Sequence, residues 1–107
     1  MGMLRDVRAS TDWTFLSNHG HVLVALNRNP EATMREVAQQ VGITERAVQL
    51  LVGDLQRAGY VRITRVGRRN AYTVATDLPL RHPLERSTSI GDLLHLLSSP
   101  EAPEPQA

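Results

Sequence analysis

All twelve Lys/Arg positions of this 107-residue sequence are arginine, and four of them, Arg62, Arg65, Arg68 and Arg69, fall within eight positions. No acidic residue stands between Gln56 and Thr76, so residues 61–75 carry +4 while residues 76–107 carry −3. A guanidinium is a planar fork of donors that fits a phosphate or the O6/N7 edge of guanine. A dense cluster of them without counter-charge therefore points to a polyanion. A second group, Thr44, Arg46, Gln49 and Arg57, lies just upstream. There Thr44 and the amides of a helix N-terminus can hold a phosphate. Arg46 can pair with guanine, and Gln49 with the N6/N7 edge of adenine. The chemistry on offer is recognition of a nucleic acid.

Other constellations offer less. His19 and His21 stand two apart, a spacing that points side chains in different directions on a helix, so the pair cannot chelate one ion. A metal site using His82 or His95 as well would have to bridge two subunits. Without cysteine there is no disulfide, thiolate ligand or thiol nucleophile. No nucleophile elbow, phosphate-binding glycine loop or paired-carboxylate cleft is present. An enzyme is not expected, and no cofactor or metal is implied. The N-terminus lacks a long apolar stretch, and no apolar run approaches the roughly 18 residues of a membrane span. The expected location is the cytoplasm.

The elements that must position these side chains are legible in caps and periodicity. Ser17 can cap a helix with an apolar stripe of Val22, Leu23, Ala25 and Leu26 that Asn29-Pro30 stops. Trp13, Phe15 and Leu16 are expected to pack across it. Thr33-Met-Arg-Glu36 reads as a capping box opening a second helix, which carries Val37, Ala38 and Val41 inward and ends at Gly42. Thr44 caps a third helix running to Ala58. Its apolar side holds Ala47, Val48, Leu51, Val52, Leu55 and Ala58, and its other side Arg46, Gln49, Leu50, Gly53, Gln56 and Arg57. Residues 61–65 and 70–74 read as a β-hairpin around Val66-Gly-Arg-Arg69, with an arginine-rich tip. An extended connector from Asp77 to Pro83 leads to a short helix capped by Ser89.

Helix, helix, glycine turn, helix and basic hairpin, in that order, make a winged helix-turn-helix, mainly α with a small β-hairpin wing. Val37, Ala38, Val41, Gly42, Ile43, Val48 and Leu51 fill the apolar, small and glycine positions of its helix-turn-helix pattern. Residues 12–75 resemble the winged-helix domains of MarR-like and ArsR-like bacterial transcription regulators. That resemblance implies a homodimer on a pseudo-palindromic double-stranded DNA operator, and in many members a small effector. It places Thr44, Arg46 and Gln49 at the start of the recognition helix. Leu50 departs from the MarR-like pattern, where a basic residue is common, and either a thymine methyl group or a protein contact would suit it.

The expected organisation is a flexible N-terminus (1–11), a winged helix-turn-helix domain (12–75), a connector with a C-terminal dimerisation helix (76–97) and a disordered tail (98–107). Ile90, Leu93, Leu94 and Leu97 are the expected dimerisation residues, since a helix so short and so rich in leucine must dock on something. Any effector would bind between Trp13, the first helix and the C-terminal helix, or at the subunit interface. The alternative from a different class is a winged-helix protein interaction module without specific DNA binding.

Overall fold

Every helix among the described residues begins at a hydroxyl that bonds back to the backbone. A computed structural model describes residues 12–98; the expectations for residues 1–11 and for the tail beyond Ser98 lie outside the described residues. The elements are α1 (Asn18–Arg28), α2 (Met34–Val41), α3 (Glu45–Arg57), β1 (Val61–Val66), β2 (Arg69–Val74) and α4 (Ile90–Leu97). The side chains of Ser17, Thr33, Thr44 and Ser89 accept from the amides of Gly20, Glu36, Ala47 and Asp92. The Thr33 box is closed in both directions, the Glu36 carboxylate accepting the Thr33 amide at 2.9 Å. Each such cap contributes roughly 1 kcal/mol. At the end of α2, Gly42 has φ 86°, and the amides of Gly42 and Ile43 both donate to the Ala38 carbonyl, at 2.8 and 3.1 Å. Any side chain there would be strained, so this glycine lets the chain swing from α2 directly into α3.

The apolar stripes meet in one core. Val22, Leu23, Ala25 and Leu26 of α1, Val37 and Ala38 of α2, and Val48, Val52 and Leu55 of α3 are buried. Tyr60, Val61 and Tyr72 close it from the hairpin side, and Ile90 and Leu94 from α4. Leu26 is fully enclosed, so truncation to alanine would cost about 2–5 kcal/mol. Ala58 lies on the surface because it is the C-cap, where α3 has already ended.

Two expectations about this core need correction. Of Trp13, Phe15 and Leu16, only Leu16 is partly buried; Trp13 and Phe15 are 67% and 93% exposed, and they pack edge to face on each other with centroids 5.2 Å apart. The side of α1 they were expected to cover is taken by α4, whose Ile90 and Leu94 join Leu23 in the core cluster. The connector also does more than extend. Leu80 donates to the Thr88 carbonyl and Ile90 to that of Leu78, so residues 81–87 form a turn-rich excursion that returns beside its own start. The Tyr60 hydroxyl fixes this excursion to the core by donating to the Pro79 carbonyl at 2.6 Å.

α4 approaches the body through a glycine. The Gly91 amide donates to the Thr76 carbonyl at 2.8 Å, and a Cβ built on Gly91 would stand 2.8 Å from that oxygen and 2.9 Å from Thr76 Cβ. No larger residue fits that approach. β1 and β2 pair antiparallel from Val61↔Val74 to Val66↔Arg69. Gly67, with φ 64°, precedes Arg68 at negative φ, the pattern of a type II′ turn. The hairpin root is bonded to the helices: the Tyr72 amide donates to the Pro30 carbonyl at 2.8 Å, and the Ala75 amide to the Tyr60 carbonyl at 2.9 Å. The architecture is a winged helix-turn-helix.

Candidate nucleic-acid interface

The polar side of α3 faces solvent. Arg46 and Gln49 are exposed, and no hydrogen bond or ion pair holds either of them among the described residues. Thr44 accepts from the Ala47 amide through Oγ1 at 3.0 Å, which leaves its own hydroxyl hydrogen free to donate outward. Beside it Glu45 stands in the first turn. That carboxylate favours the helix through the macrodipole but opposes an approaching phosphate. Leu50 shares this side and is 61% exposed.

Further along α3 the set divides. Arg57 does not extend outward but folds back over Gly53, its guanidinium 3.3 Å from where a Gly53 Cβ would stand, and donates to Asp54 at 2.6 Å. The missing Cβ thus gives Arg57 a seat. His19 at the start of α1 donates through Nε2 to the other Asp54 oxygen at 2.9 Å. The Asp54 carboxyl is held below its ordinary 3.8 chiefly by this His19 hydrogen bond. Desolvation opposes the shift, and the hydrogen bond and charge of Arg57 add to it. Arg57 is therefore neutralised locally, unlike Arg46. The His19–Asp54–Arg57 cluster was missed in the sequence, where 35 residues separate His19 from Asp54 and no local pattern joins them.

The four hairpin arginines do not form one array. Side chains alternate between the two faces of a hairpin, so Arg62 and Arg69 share one face, Arg65 lies on the other with Asn70, and Arg68 stands in the turn. Arg65 Nε donates to the Gly67 carbonyl at 3.2 Å, bracing the turn. Arg69 comes within 3.9 Å of Glu31. Arg62 and Arg68 keep no ion pair among the described residues.

The dimerisation set splits as well. Ile90 and Leu94 are 5% and 2% exposed and point into their own core, leaving Leu93 partly buried and Leu96 and Leu97 outward at 73% and 39%. An eight-residue helix with five large apolar side chains is apolar around most of its circumference, so one side docks on its own domain while another remains open. Between the start of α1, the end of α3 and α4 lies a cleft of about 810 Å³. Its walls include Leu23, Leu55 and Leu94, its rim His19, Asp54 and Arg57, and it is lined by Phe15 rather than Trp13. His21 turns away to Asn18 at 3.0 Å. Among the described residues no helix is long and apolar enough to cross a membrane.

Comparison with known proteins agrees with this fold. The MarR family profile matches residues 14–69. A comparison with curated protein sequences finds no match. Among solved structures, T. potens IscR superposes with a TM-score of 0.60 at 17% identity, covering 88% of this chain and 94% of its own. The PcaV transcriptional regulator from Streptomyces coelicolor, solved with its natural ligand, gives 0.49 at 21% identity, covering 92% and 77%. CymR (YrzC), the global cysteine regulator of B. subtilis, gives 0.45 at 20%, covering 89% and 73%. The likeness to IscR is one of fold.

Proposed function

The chain belongs to the MarR family, and on that premise we propose that it regulates transcription as a homodimer binding a specific double-stranded DNA site. In this reading α3 enters the major groove and the arginine-bearing hairpin lies on the backbone or in the flanking minor groove. The observation that carries it is the contrast along α3: Arg46 and Gln49 stand exposed and uncommitted near the N-terminal end, while Arg57 is occupied by Asp54. Base reading falls to Arg46 and Gln49, a phosphate contact at the start of α3 to Thr44, and the rest of the affinity to Arg62, Arg68 and Arg69 with a smaller share for Arg65 and Arg57. The second copy docks on the outward side of α4, where Leu96 and Leu97 are exposed and Leu93 lines the cleft that also holds Phe15. A small effector, where one acts, occupies the cleft between α1, α3 and α4, whose apolar walls and charged rim suit an amphiphilic molecule.

The test separates base contacts from phosphate contacts. Duplexes selected from a random pool by the full chain are titrated by fluorescence anisotropy over a range of salt. Arg46→Ala or Gln49→Ala should cost about 1–3 kcal/mol on the preferred site and relax discrimination at one position per half-site. Arg68→Ala should weaken all duplexes alike and reduce the salt slope by about 1 for each phosphate that the variant no longer neutralises. Affinity weaker than ~10⁻⁴ M for every duplex at physiological salt, below the usual non-specific level, would hand the fold over to the protein-interaction reading.

A further inference from the structure

Leucine is an expensive residue to leave in water on the polar side of a helix, yet Leu50 is 61% exposed there. Its neighbours on that side are polar: Gln49 precedes it, and Arg46 lies one turn earlier, about 40° away around the axis from the 100° spacing of successive residues. Leu50 contributes nothing to the buried core and belongs to none of the partly buried residues packed against it. A lone apolar group flanked by a guanidinium and an amide, on the exposed side of a helix whose other side is buried, fits a surface that is itself polar with isolated apolar points. The major groove has that composition. Among the base edges displayed there, thymine alone carries an apolar group, its C5-methyl.

We propose that Leu50 is a specificity-determining residue that reads a thymine C5-methyl group in each half-site. This rests on the DNA-binding reading above and adds to it a base identity that no hydrogen-bonding residue supplies. Leu50 stands four positions beyond Arg46, about 6 Å along the axis. Against a base step of about 3.4 Å, the thymine stands one or two steps from the guanine that Arg46 contacts. Glutamine and arginine fix their bases through donors and acceptors, whereas Leu50 gains only by covering the methyl. Its discrimination is therefore small, additive and insensitive to salt.

Deoxyuridine in place of thymidine removes this methyl and leaves the pairing edge intact. In the preferred duplex selected by the full chain, each thymine is replaced in turn, and binding of wild type and Leu50→Ala is measured by anisotropy. One replacement per half-site should weaken the wild type about fourfold, the value of burying one methyl-sized group, and both together roughly fifteenfold if the half-sites add. The same replacements should leave Leu50→Ala unchanged, and the wild-type loss should persist when salt is raised. Leu50 is exposed, so its truncation leaves the fold intact, which an unchanged thermal transition verifies. If selected duplexes bind tightly but no replacement changes wild-type affinity twofold, the thymine assignment is overturned while DNA binding stands. Equal losses in wild type and Leu50→Ala overturn it too, because the methyl then touches another residue. If no duplex is preferred over random DNA, both readings fall, and Leu50 becomes a contact for a protein.

Discussion

Substituting two of the helical glycines, Gly91 and Gly53, by alanine should change stability in opposite directions. A Gly91 Cβ would stand 2.8 Å from the Thr76 carbonyl oxygen and 2.9 Å from Thr76 Cβ. Comfortable carbon contacts lie at about 3.5–4.0 Å, so α4 must retreat by the better part of an ångström. The obstacle is backbone and cannot rotate aside. Overpacking of this kind costs about 1–3 kcal/mol, and stretching the Gly91–Thr76 hydrogen bond costs about 1 kcal/mol more. The gain from replacing glycine in a helix is at most about 1 kcal/mol. Gly91→Ala should therefore lose about 1–3 kcal/mol, a fall of roughly 5–20 °C in Tm for a domain of this size. A Gly53 Cβ meets only the movable Arg57 guanidinium at 3.3 Å, so Gly53→Ala should keep most of its gain of up to about 1 kcal/mol. Thermal and urea unfolding followed by circular dichroism measures both. A Gly91→Ala protein as stable as wild type, or a larger loss from Gly53→Ala, would refute the reasoning.

Leu96→Asp, at a site exposed within one chain, should leave the thermal transition of a single domain in place but reduce the mass seen by light scattering from two chains to one; an unchanged mass places the dimer contact elsewhere. Asp54 titrates below its ordinary 3.8, so its bonds stabilise the folded chain fully above that value and fade as pH falls through the lower folded value; Asp54→Asn should flatten this acid limb of the urea-unfolding profile, and an acid limb as steep as that of wild type would refute it. In the salt-dependence assay Arg65→Ala should alter the slope less than Arg68→Ala, since Arg65 is spent on the Gly67 carbonyl; equal slopes would mean that this bond yields on binding.

The helix borders were legible because their signals are local. Ser17, Thr33, Thr44 and Ser89 each cap within three residues of sequence, and Gly42 acts on the amides beside it. The hairpin followed from period-two alternation for the same reason. What the sequence could not convey depends on contacts between distant segments. Trp13 and Phe15 look like core residues until α4 is known to occupy their place on α1. Ile90 and Leu94 look like a dimer surface because periodicity marks an apolar side without saying which body covers it. Four arginines in eight positions look like one array, whereas the pairing register sends Arg65 to the opposite face from Arg62 and Arg69. The role of Arg57 was hidden most completely, since it depends on Asp54 and on the empty place at Gly53.

The two bonds at the hairpin root, Tyr72 to Pro30 and Ala75 to Tyr60, make the wing a cantilever clamped at one end. Bending then concentrates in the free length beyond Ile63 and Tyr72, and the root keeps a constant angle to the helices. On the proposed DNA-binding reading, a duplex whose groove width differs from the resting reach of Arg68 would be met by deflection of a few tip residues, not by tilting the domain. Tip amides should therefore exchange their hydrogens quickly, and the Tyr72 amide only when the whole domain opens. The load felt at the tip passes through Pro30 into the loop joining α1 to α2 and through Tyr60 into the segment that follows α3.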